Sequence, residues 1–119
     1  MLDLQKNISE DGALVIRLAG VATIEQAEPL RQLLLDTIEQ GEREQKVVRV
    51  NCGQVTEIDS FILQMLCSAH RTSVSRQIRF SWDGPPAAPV MEVIRHAGFL
   101  RNTGCSLCPD DQRCMWCDK

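Results

Sequence analysis

With 119 residues, 44% of them hydrophobic and 24% charged, the chain has room for one core that needs no disulfides, plus a short appendage. A formal net charge of −3 with no basic run excludes binding to a nucleic-acid backbone as the main task. The opening Met1 to Lys6 lacks the apolar stretch of a signal peptide, and no run approaches the roughly 20 apolar residues of a membrane span, so the expected location is cytoplasmic, without membrane insertion.

Residues 2–8 alternate loosely through Leu2, Leu4, Lys6 and Ile8, which suits an edge strand. Asp11-Gly12 is a turn signal, and Ala13 to Leu18 reads as the more buried partner of a hairpin, ended by Gly20. Thr23 precedes Gln26 by three positions in the manner of a capping box, while Pro29 disfavours a helix that starts much earlier. The spacing therefore predicts a loose turn over 23–27 and a helix from about Glu28. Leu30, Leu33, Leu34 and Ile38 form its apolar stripe, Gly41 is its stop, and residues 42–46 form a solvated connector.

Val47 to Asn51 is short and rich in β-branched residues, as expected of a central strand, and Cys52 to Glu57 reads as the turn that follows. Asp59-Ser60 opens a second helix through about Val74, with Leu63, Leu66, Cys67 and His70 on its inner side and Ile62, Met65 and Ala69 alongside. Gln77 to Trp82 gives another strand, Asp83 to Pro86 a turn, and Ala88 to Ala97 a third helix ended by Gly98. The order β-β-α-β-α-β-α predicts an α/β domain over residues 1–100: a mixed four- or five-stranded sheet with about three helices packed mainly on one face. A cysteine-rich tail over 101–119 follows it.

Ser60 is the candidate of most interest. A serine hydroxyl at a helix N-terminus sits where backbone N–H groups and the helix dipole favour negative charge, which suits a phosphate-accepting switch. The same position suits an ordinary N-cap, and Asp59 equally reads as a turn residue that satisfies backbone amides. The two histidines carry no nucleophile pattern: His70 reads as half-buried or at the surface, and His96 lies near a helix C-terminus. Neither is assigned a catalytic role, and the chain is read as not being an enzyme.

The segments Leu18-Ala19-Gly20, Ala27-Glu28-Pro29-Leu30, Val50, Val55-Thr56-Glu57-Ile58-Asp59-Ser60 and Val93-Ile94-Arg95-His96-Ala97-Gly98-Phe99, in this order, resemble a STAS domain (sulfate transporter and anti-sigma factor antagonist) over roughly residues 10–100. The resemblance implies a signalling module of the anti-sigma factor antagonist kind. Its partner would be a serine kinase that doubles as anti-sigma factor, or a chemotaxis-type kinase. Ser60, after Asp59, falls on the family's phosphorylation site. Asp59, Ser60, Phe61 and Ile62 then form the expected partner-binding edge. The family pattern continues with a small residue and a glycine before leucine, where this chain has Phe61 and Ile62 before Leu63. An outward Phe61 would be an apolar anchor for a partner. The same resemblance admits a constitutive role, as the STAS subunit of a phospholipid or other transporter assembly.

The tail carries Cys105-Ser106-Leu107-Cys108 and Cys114-Met115-Trp116-Cys117, two Cys-x-x-Cys pairs five residues apart. Four thiolates suit a structural zinc, so Cys105, Cys108, Cys114 and Cys117 are the candidate metal ligands, although zinc patterns usually place about 15–20 residues between the pairs. Disulfides, free thiols or a thiol-redox role are the competing readings. Cys52 and Cys67 read as small buried apolar residues.

Overall fold

The computed structural model describes residues 2–96. In chain order these form β1 (Leu2–Ile8), β2 (Leu14–Ala22), a single 3-10 turn over Ile24–Gln26, α1 (Ala27–Glu44), β3 (Val48–Ile58), α2 (Ser60–Ser75), β4 (Phe80–Trp82) and α3 (Ala88–His96). The four strands make one mixed sheet in the order β1-β2-β3-β4. β1 runs antiparallel to β2, whereas β2, β3 and β4 are mutually parallel and are joined through α1 and α2. The expected architecture is thus present, with four strands.

Alternation along the strands assigns the two faces. Leu14, Ile16 and Leu18 of β2 and Val48, Val50 and Cys52 of β3 enter one apolar cluster with Leu30, Leu34 and Ile38 of α1, Ile62, Leu63 and Leu66 of α2, and Val90 and Ile94 of α3. All three helices therefore draw on the same core. Of the intervening residues Val15 is apolar and buried, while Arg17 donates to Gln54 Oε1 at 2.6 Å and Arg49 pairs with Asp11 at 2.9 Å. The second contact ties the β1–β2 turn to β3. With the hydroxyl of Ser9 donating to the same carboxylate and Arg49 beside it, Asp11 is held down at a pKa of about 2.

The strand expected over Gln77 to Trp82 is reduced to Phe80–Trp82, because Gln77 is left-handed with φ of 60° and still belongs to the turn after α2. Three further boundaries differ from the sequence reading. Gly20 does not end β2; it adopts φ of 92° inside the strand, where the β2–β3 register shifts, and the strand continues to Ala22. The segment Cys52 to Glu57 is not a turn. Asn51 Oδ1 accepts from the Gly53 amide at 3.0 Å, and pairing moves from Arg17↔Asn51 to Ala19↔Gln54, so the turn-like residues form an irregularity within β3. Nor does Gly41 stop α1, which runs to Glu44 and is closed by Gln45 in the left-handed conformation. Gly41 is there for space: a Cβ would lie 3.0 Å from the Lys46 carbonyl oxygen and 3.1 Å from Val48 Cγ2.

The start of α1 follows the expected chemistry with a small displacement. The Thr23 amide and hydroxyl both donate to Gln26 Oε1, at 3.2 and 2.9 Å, and this fixes the 3-10 turn ahead of Ala27. Pro29 is the third residue of α1, still within the first turn, where its missing N–H costs no intrahelical bond. His70, placed on the inner side of α2 but read as half-buried or at the surface, is buried beside Phe80, with ring centroids 6.3 Å apart.

Candidate functional site

β3 ends at Ile58 and α2 begins at Ser60, so the junction is the single residue Asp59. Asp59 is extended, with φ −99° and ψ 165°, and one carboxylate oxygen accepts from the Ile62 amide at 3.0 Å. That is an N-cap interaction, and it belongs to Asp59; Ser60 is the first helical residue and not the cap. The other oxygen accepts from the Ile24 amide at 2.9 Å. One carboxylate thus satisfies an orphan amide of α2 and an amide of the 3-10 turn before α1. The Asp59 amide donates to the Ala22 carbonyl at 3.1 Å, which closes the same corner from below. Ser60 is left exposed at the tip of α2.

The two apolar residues after Ser60 part company. Phe61 is 43% exposed, whereas Ile62 has no exposed surface and belongs to the core. A partner could touch Asp59, Ser60 and Phe61 from outside; the Ile62 side chain is turned away from that surface. Phe61 lies along a groove of about 390 Å³ between α1 and α2, with Leu34, Leu35, Met65 and Ala69 in its walls and Arg31 among the lining residues. Leu35 is 41% exposed, and Ile24, bonded through its amide to Asp59, is 59% exposed. Three of the four exposed large hydrophobic residues among those described therefore flank Asp59 or line this groove. Ile24 and Leu35 escaped the sequence reading. Leu35 breaks the stripe of Leu30, Leu34 and Ile38, which was a usable signal. Ile24 gains its place only through a bond to a residue 35 positions away.

On its other flank Ser60 borders a shallow depression of about 520 Å³, shared with Glu92, Val93 and His96 of α3. His96 Nδ1 lies 2.7 Å from the Glu92 carbonyl oxygen, which fixes Nδ1 as the donor nitrogen. Burial lowers the pKa of His70 and pushes the Cys52 thiol up to about 12, so both are core groups. Cys67 is half-buried. Among the described residues no group of three or more His, Cys, Asp or Glu side chains could hold a metal ion. Cys105, Cys108, Cys114 and Cys117 lie outside the described residues. No described helix is long and apolar enough to cross a membrane.

Known proteins resemble the chain at two levels. The family profile described as "Mlab, STAS domain" matches residues 7–104. Among solved structures, a Thermotoga maritima protein assigned provisionally as an anti-sigma factor antagonist superposes with a TM-score of 0.56 at 18% identity, covering 82% of this chain and 83% of its own. Two crystal structures of a protein called Mglu superpose with TM-scores of 0.55 and 0.54, at 20% and 18% identity, over 68% and 67% of this chain. This chain spans about a fifth of the Mglu length, 19% and 22% in the two structures. At these identities the structural likenesses bear on the fold alone. No curated protein matches the chain.

Proposed function

Because the chain belongs to the STAS domain family, matched across residues 7–104, we propose that it is a non-enzymatic regulatory module whose α1–α2 end docks a signalling ATPase. The partner on this reading is a serine kinase acting as anti-sigma factor, or a chemotaxis-type kinase, and Ser60 is the residue it modifies. The observation that carries the reading is the corner itself. An exposed serine sits at the first position of α2, held in place by Asp59, with exposed Phe61 and an apolar groove beside it. Likeness to the provisionally assigned anti-sigma factor antagonist supports it at the level of the fold.

The chemistry at Ser60 is a phosphoryl transfer. The bond between the terminal phosphorus of ATP and its bridging oxygen breaks, ADP leaves, the Ser60 oxygen forms the new ester, and the hydroxyl proton passes to a base of the kinase. The product carries about −1.5 to −2 charge at pH 7. The α2 N-terminus favours that charge, while Asp59 and Glu57 make the surrounding rim acidic. A partner that docks apolar surface into the groove and brings an acidic surface close to Ser60 would be repelled once the phosphate is present. The test is incubation with the cognate kinase and ATP. One phosphate is expected on the wild-type chain and none on Ser60→Ala; a phosphate on both would place the modification elsewhere.

A second reading is favoured by one observation, the bulk and exposure of Phe61 where the antagonist pattern has small residues. A constitutive subunit of a transporter assembly would use Phe61, Leu35 and Ile24 as a permanent apolar contact. In that case an ATPase co-purifies equally with wild type, Ser60→Ala and Ser60→Asp.

A further inference from the structure

Among the described residues that line the depression beside Ser60, His96 is the one able to carry positive charge; Glu92 is acidic, Val93 apolar and Ser60 neutral. The ring is oriented by its own helix. A carbonyl oxygen can only accept, so the 2.7 Å contact with Glu92 requires a proton on Nδ1 and leaves Nε2 as the ring nitrogen not committed to that bond. His96 also closes the last turn of α3, where a cation meets the negative end of the helix dipole. The two ends thus meet across one shallow space: the positive end of α2, carrying Ser60, and the last turn of α3, carrying a histidine of fixed orientation.

We infer that His96 is the positioning residue for a phosphoryl group on Ser60, donating its Nε2–H to a phosphate oxygen and so tying α2 to α3 in the modified protein. The inference rests on the reading of Ser60 as the phosphorylated residue. A cation at this place offsets neighbouring negative charge. A phosphate placed here shares the depression with the Glu92 carboxylate, and the nearest carboxylate on its own side, Asp59, is already engaged by the Ile24 and Ile62 amides. An imidazolium between two anions forms charge-assisted hydrogen bonds that a neutral side chain cannot supply. Arg95, the neighbouring cation of α3, is exposed and does not line the depression. Modification of Ser60 then has a second consequence besides repelling a partner: it fastens α3 to the switch.

The test uses the full chain with phosphoserine installed at position 60 during translation, which requires neither kinase nor partner. Phosphorus NMR reads the pH at which the phosphate loses its second proton. With His96 present this occurs at a pH lower by roughly 0.5–1 unit than in His96→Gln, because a nearby cation favours the dianion. Coincident titrations of the two proteins would overturn the inference. In the unsubstituted chain, the ring-nitrogen resonance of His96 Nε2 moves on phosphorylation to that of a protonated, hydrogen-bonded ring, and no movement would equally overturn it. Failure of the switch reading is seen separately, in partner affinity that ignores Ser60.

Discussion

At Asp59 one carboxylate serves two amides from segments 35 residues apart, capping α2 through Ile62 and holding the turn that leads into α1 through Ile24. Removing it leaves both donors without this partner and loosens the placement of Ser60. Asp59→Ala is expected to lose about 1–2 kcal/mol of stability, read as a lower urea midpoint with an unchanged slope. Asp59→Asn, which retains an acceptor oxygen, loses less. His70 makes a second prediction. Burial lowers its pKa in the folded chain, whereas an unfolded histidine takes up a proton near about pH 6.5. As pH falls through that value the unfolded state binds the extra proton first, so stability declines. It is fully present above about pH 6.5 and is lost toward the lower folded value. Urea midpoints measured down the pH scale should fall in wild type and fall less in His70→Gln.

Among the elements, the order of strands and helices was legible because apolar periodicity is local. The stripe Leu30, Leu34 and Ile38 and the run Val48 to Val50 carry it without help from distant residues. What misled was punctuation. Gly20, Gly41 and Cys52-Gly53 carry stop signals in sequence, yet the structure uses them for a strand irregularity, a close helix–strand approach and an Asx-stabilised bulge. A glycine signals that a side chain is unwelcome and leaves open whether backbone conformation or space is the reason. Gly41 separates the two. In an open helix Gly→Ala gains up to about 1 kcal/mol. Here the added methyl meets the Lys46 carbonyl and Val48, so Gly41→Ala is expected to destabilise by roughly 1–2 kcal/mol, measured by thermal or urea unfolding. The candidate site was legible in part for the same reason. Asp59-Ser60 and the outward Phe61 are neighbours in sequence, whereas Ile24 and His96 join them only through the fold.

For the whole molecule, the core formed within residues 2–96 draws on every strand and helix and uses Cys52 as its one buried cysteine among those described. Zinc held by Cys105, Cys108, Cys114 and Cys117 remains a proposal carried by the presence of two Cys-x-x-Cys pairs. It predicts near-stoichiometric zinc in full-length protein purified under reducing conditions. A strong chelator is expected to leave the cooperative unfolding transition of the domain in place, because residues between Leu14 and Ile94 already assemble a continuous apolar core. Loss of that transition on chelation, seen by circular dichroism, would show that the tail is integral to the fold. The arrangement at the α1–α2 end gives the molecule an exposed serine, next to the carboxylate of Asp59 and beside an apolar groove. The central claim is that this end binds a partner under the control of Ser60. The most direct measurement is the affinity of the cognate kinase for wild type, Ser60→Ala, Ser60→Asp and Phe61→Ala. The account predicts near-equal binding by wild type and Ser60→Ala, with at least about tenfold weaker binding by Ser60→Asp and by Phe61→Ala. Equal affinity across all four proteins would contradict it.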